Sequence, residues 1–161
     1  MKESTTSCIV RAGQLSELPE VLLLIKELAR FEKAPNEAVL TLVDLERDFL
    51  DNRFQFLVAV RNTEVLGMAL YFDRYSTWKG RSIHLEDLIV RESHRGKGIG
   101  SALFHAVVHV AKKEQAARLQ WEVLDWNTPA LSFYKSLNAE ILSDWWPCRL
   151  NRNQIESWPH E

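Results

Sequence analysis

Between residues 95 and 100 the chain reads Arg95-Gly96-Lys97-Gly98-Ile99-Gly100, directly before a helical pattern. A glycine-rich turn at a helix start lets backbone N–H groups come close to an anion, and the helix dipole adds to the attraction. A phosphate suits it; an ordinary turn is the alternative. No Gly-Lys-Ser/Thr follows four variable residues, and GxGxxG spacing is missing, which sets aside Walker-type nucleotide hydrolysis and hydride transfer. Upstream, Glu86 and Asp87 place two carboxylates side by side in an apolar, β-prone run. Strand alternation sends them to opposite faces unless a bulge intervenes. Asn127 offers an amide donor and a carbonyl acceptor, and equally a helix N-cap before Thr128 and Pro129. Tyr134 follows Phe133 and either packs in a core or presents its hydroxyl. His105 and His109 lie four apart, but with no HExxH glutamate and no third ligand no metal site is expected.

The elements that must position these residues follow from periodicity. Cys8–Arg11 reads as a short strand, and Ser16 as an N-cap for a helix carrying Leu18, Leu22, Ile25 and Ala29 and ending near Phe31 before Pro35. Thr41 with Asp44 opens a second helix to about Leu50. Residues 54–60 and 65–72 form a hairpin around Arg61-Asn62-Thr63-Glu64, and 82–90 is a third strand. A helix runs from Gly100 to Glu114, a strand over 119–124, and a helix over 129–137 with Pro129 in its first turn. Residues 141–142 and 148–150 are candidate terminal strands. The order β, α, α, β, β, β, α, β, α, β, β implies an α/β (mixed α+β) fold, a central twisted mixed sheet flanked by helices.

A chain of 161 residues, 46% hydrophobic, suits one domain, here residues 8–161 after a flexible polar tail at 1–7. Twenty basic against 22 acidic residues leave a net charge of −2, which argues against nucleic acid or an anionic membrane as partner. Recognition by charge must then be local. Glu27, Glu32, Asp87 and Asp125 are candidates for a negative patch that would favour a cationic ligand, although helix-borne acids commonly face solvent. Trp78 could contact such a cation through its π face or simply pack. Cys8 and Cys148 form no CxxC pair, and no stretch nears the roughly 20 apolar residues of a membrane span, so a cytoplasmic protein is expected.

RGKGIG resembles the Q/R-x-x-G-x-G/A pyrophosphate loop of the GCN5-related N-acetyltransferase superfamily, with Arg95, Gly98 and Gly100 at its defining positions. Leu85-Glu86-Asp87-Leu88-Ile89-Val90, Leu124-Asp125-Trp126-Asn127 and Phe133-Tyr134-Lys135 fall at the separations that family uses. Together with Leu24-Ile25-Lys26-Glu27-Leu28-Ala29, these blocks resemble the spermidine/spermine and thialysine branch, and the LDWN block looks nearer the thialysine members. Asn138 stands where many relatives have a glycine, and Phe31 where polyamine enzymes often have tyrosine.

The resemblance implies a single-domain, acetyl-CoA-dependent acyltransferase with CoA as product, acting on a primary amine of a small cationic molecule by direct transfer in a ternary complex. An alkyl ammonium with a pKa of about 10.4 must lose a proton before it attacks. By resemblance Glu86 takes that proton through a water, and Tyr134 supplies the acid for the departing thiolate. The backbone of Leu88 and Val90, the loop residues Arg95, Gly96, Lys97, Gly98, Gly100 and Ser101, and Asn127 and Lys135 are the implied cofactor contacts. Phe31, Glu32, Trp78, Glu86, Asp87 and Asp125 are the implied acceptor contacts. Relatives are commonly homodimers. The alternatives are an aminoglycoside or peptide N-terminus as acceptor, or a non-catalytic acetyl-CoA-binding module.

Overall fold

The computed structural model describes residues 8–159, so the expected tail at 1–7 lies outside them. Within Met1–Glu122, one of two compact units, helix α1 (Leu18–Phe31) begins with Pro19 in its first turn. A single 3-10 turn, Leu15–Glu17, precedes it, so Gln14 and Glu17 do the capping expected of Ser16. Leu18, Val21 and Leu24 are fully buried, while Leu22, Ile25 and Leu28 pack partly against the core. The buried stripe is thus rotated from the expected Leu18–Leu22–Ile25–Ala29 line. Helix α2 (Leu42–Leu50) starts at the Thr41–Asp44 capping box, in which Asp44 N–H donates to the Thr41 hydroxyl at 3.2 Å.

Strands β1 (Ile9–Ala12), β2 (Gln55–Arg61), β3 (Glu64–Ser76) and β4 (Gly80–Val90) form an antiparallel meander. Helix α3 (Ile99–Lys113) then crosses over to β5 (Arg118–Trp121), which lies parallel to β4 and completes the five-stranded mixed sheet. The crossover is what a parallel neighbour demands. Phe56, Val58, Met68, Leu70 and Ile89 face α1 and α2 across one core, and Ile99, Leu103, Phe104 and Val107 are the buried stripe of α3.

The second unit, Val123–Glu161, contains α4 (Thr128–Ser136) and the short α5 (Arg152–Glu156). The terminal strands expected at 141–142 and 148–150 are not formed among the described residues. Ile141, Leu142 and Leu150 are exposed there, and runs of two or three residues are short for a strand.

Candidate active site

Register decides where the two adjacent carboxylates go. Tyr71 pairs with Leu85 and Leu70 with Asp87, so Glu86 is an extra residue in β4, a bulge. Cross-strand partners share a face, and Phe72 pairs with His84 and stacks on it with ring centroids 5.0 Å apart. Asp87 therefore shares a face with Leu70, Phe72 and His84. Glu86 reaches the same side, its Oε2 lying 3.4 Å from His84 Nε2. The bulge has undone the alternation that would have separated the carboxylates.

The electrostatics follow from that gathering. His84 beside Glu86 holds its carboxyl below the ordinary range, against the opposing effect of burial. Asp87 is pushed the other way, up to about 7, by burial and then by the charges of Glu86 and Glu32. Glu32, the C-cap of α1, is itself raised by partial burial. Glu27, by contrast, is committed elsewhere, accepting from Glu92 N–H at 3.1 Å with Arg91 Nη1 at 3.8 Å. Arg91 also pairs with Glu20 and donates through Nε to Val65 O at 2.8 Å, tying α1 to the end of β4. Neither tether has a motif to betray it in the sequence.

Beyond Leu85, β4 continues to Val90 while its pairing with β5 stops at Trp121. Among the described residues, the edge of β4 that includes Leu88 and Val90 is left without a strand partner on that side. Gly96 and Gly98 follow with φ of 73° and 78°, and a Cβ on either would meet nothing within 4 Å. Gly98 is the N-cap of α3 and brings no side chain, so the first-turn N–H groups, including those of Gly100 and Ser101, lack a capping oxygen. Arg95 turns back, its Nε donating to Val90 O at 2.9 Å and its guanidinium lying 5.1 Å from the centre of the Phe31 ring. Lys97 Nζ donates to Ser93 O at 3.2 Å, and Ser101 meets His105 Nδ1 through its backbone carbonyl at 2.7 Å. Trp78 stands apart, 84% exposed at the tip of the β3–β4 hairpin. Gly80 to Asp87 alone spans roughly 20 Å of strand.

In the second unit, Asn127 caps α4, its side chain accepting from Ala130 N–H at 3.3 Å. Tyr134 is buried, and burial raises its phenol, so the hydroxyl keeps its proton at neutral pH. Ala139 N–H donates to Tyr134 O and Asn138 N–H to Lys135 O, at 3.1 and 3.0 Å, with Asn138 at φ 58°. That is a Schellman ending with asparagine doing the work of glycine. Asp125 and Lys135 are exposed.

The family model described as the acetyltransferase (GNAT) family matches residues 22–139. The chain belongs to this family. Among GNAT relatives, thialysine N-epsilon-acetyltransferase from Bos taurus is 36% identical over 87% of this chain and 89% of its own length. The Caenorhabditis elegans enzyme of that name is 31% identical over 88% and 91%. Spermidine/spermine N(1)-acetyltransferase-like protein 1 from Homo sapiens is 33% identical over 91% of this chain and 23% of its own. A solved aminoglycoside acetyltransferase from an uncultured soil metagenomic sample has the same fold, with a TM-score of 0.78 at 18% identity over 92% of this chain and 100% of that one. As a GNAT member this protein is an acetyltransferase with a five-stranded mixed sheet between helices.

Proposed function

We propose that the protein is an acetyl-CoA-dependent N-acetyltransferase for a primary amine of a small dication, a short diamine or thialysine-like acceptor, working by direct transfer in a ternary complex. The observation that carries this reading is the acidic group of Glu32, Glu86 and Asp87, in which burial and then the charges of the other two lift Asp87 to about 7. A site this crowded with negative charge gains most from a ligand that brings positive charge. The thialysine and polyamine names of the relatives support the same acceptor class.

The open glycine backbone, the side-chain-free start of α3 and the unpartnered edge of β4 fit acetyl-CoA. Bound, acetyl-CoA supplies the acetyl group as a thioester and leaves as CoA. In this reading Gly96, Lys97, Gly98, Gly100 and Ser101 hold phosphate through backbone N–H groups, with Arg95 adding charge. Leu88, Val90, Asn127 and Lys135 serve the rest of the cofactor. Asp87 and Glu32 gather the acceptor's second charge, beside Phe31, with Asp125 as a further acceptor contact, while Trp78, at the far tip of the β3–β4 hairpin, is left out of it. Glu86 takes the ammonium proton through a water, and Tyr134 Oη holds the proton to be given at the leaving sulfur.

We further propose one catalytic domain, because the family model runs through the boundary between the two units. A homodimer is supported by the exposed apolar side chains of the second unit, among them Trp145, Trp146, Ile155 and Trp158. Free Cys8 and Cys148 accord with a reducing cytoplasm. Thiol release measured across thialysine, lysine, diamines, polyamines, aminoglycosides and N-terminal peptides tests the assignment. Turnover confined to aminoglycosides or peptides would replace the acceptor, and cofactor binding without any turnover would leave a non-catalytic acetyl-CoA-binding module.

A further inference from the structure

The reaction as proposed gives His84 no part, yet its placement is unusual for a residue that only packs. The residue is 7% exposed and its ring lies against Phe72 with the planes 34° apart. Nδ1 is buried and has no hydrogen-bond partner among the described residues, while Nε2 faces Glu86 at 3.4 Å. A hydrogen on Nε2 serves the carboxylate and leaves Nδ1 as a bare acceptor. A phenylalanine here would keep the stack and remove the unsatisfied atom, so packing does not account for an imidazole.

Nor does stabilisation by an ion pair account for it, because the Glu86 side chain is 55% exposed and a pair so wet is worth little. Orientation remains. As the bulged residue, Glu86 has no cross-strand partner to set its direction. The group two residues before it, clamped by Phe72, is the rigid donor within reach.

We infer that His84 is a positioning residue: from its buried, stacked seat its Nε2–H fixes the Glu86 carboxylate in the direction from which it takes the acceptor's proton. The inference rests on the reading of Glu86 as that base.

The test compares wild type, H84F, H84Q, E86Q and the H84F/E86Q double variant with thialysine and 1,4-diaminobutane as acceptors. H84F should melt no lower than wild type and bind acetyl-CoA with unchanged calorimetric affinity. Its kcat should fall about tenfold or more, with KM for the amine changing much less. H84Q, which restores an amide N–H at similar reach, should recover most of that loss. In the E86Q background H84F should cost nothing further. Should H84F not fold, H84L carries the same comparisons. Undiminished kcat in H84F, failure of H84Q to recover, or an equal loss in the E86Q background would each overturn the inference while wild-type turnover upholds the function. A wild type that acetylates neither amine overturns both.

Discussion

Burial and two neighbouring carboxylates lift Asp87 from 3.8 to about 7, so the folded protein holds a proton there that the unfolded chain releases. Its contribution to stability is therefore full below about pH 4 and drains away as pH rises through 7. D87N, which cannot ionise, should melt with wild type near pH 4 and roughly 5 °C above it at pH 8, by calorimetry at matched salt. Convergence of the two curves at pH 8 would show that Asp87 ionises there without penalty. The same variant should raise KM for a diamine, since the charge that gathers the cation is gone. Of the proposed acid and base, Y134F should retain stability and lose turnover, and E86Q should lose it most at moderate pH and recover in part as free amine accumulates. Wild-type pH profiles in both would return these residues to structural roles. As candidates, Glu86, Asp87 and Tyr134 were legible in their motif blocks. The side taken by each carboxylate was not, because it hangs on one unpaired residue that no local pattern marks. His84 had no motif at all, and its stack on Phe72, its buried Nδ1 and the approach of its Nε2 to Glu86 bring it forward only in the structure.

Elements were legible where local chemistry alone decides them. The Thr41–Asp44 box, Pro19 in α1 and the glycines before α3 each act within one turn, and α1 to α4 stand close to where expected, whereas the short α5 was not foreseen. The rotated stripe of α1 and the unformed terminal strands depend on what lies opposite, which spacing cannot report. The end of β4 shows how such packing serves the site. Gly67, in β3, has no room for a side chain, since a Cβ would sit 2.6 Å from Ile89 O and 3.3 Å from Leu103 Cδ1. G67A should force β3, β4 and α3 apart and cost about 1–3 kcal/mol, measurable by urea denaturation. Gly98 differs in kind. Its surroundings are open but its φ of 78° strains any other residue, so G98A should lose about 1–2 kcal/mol by distorting the loop alone. Acetyl-CoA affinity should weaken with it, whereas G100A, whose Cβ would rest at an ordinary 3.6 Å from Val90 Cγ2, should fold normally. Calorimetric affinity unchanged in folded G98A would remove the loop from the cofactor site.

At the scale of the whole molecule, a net charge of −2 offers an approaching cation almost nothing. Attraction has to come from distribution. Glu20 and Glu27 share one arginine, Arg91, and Asp73 and Glu114 share another, Arg81, so part of the acidic charge of the first unit is already offset by its own arginines. Glu32, Glu86 and Asp87 have no arginine against them among the described residues, and the neighbour of Glu86 is an imidazole. The field that meets an acceptor is thus the field of a few carboxylates at one corner, over distances shorter than the Debye length of about 8 Å at physiological salt. Such a field should act on affinity more than on chemistry, and on two charges more than on one. Raising sodium chloride from 50 to 500 mM should therefore increase KM for 1,4-diaminobutane several-fold, leave its kcat nearly level, and change KM for butylamine much less. Acetyl-CoA must be saturating at both ionic strengths, because its phosphates feel the same screening at the glycine loop. The D87N variant supplies the internal control: with one carboxylate removed, the salt dependence for the diamine should shrink toward that of the monoamine. Equal kcat/KM for the two amines, with no response to salt, would discard recognition by charge as the means by which the acceptor is chosen.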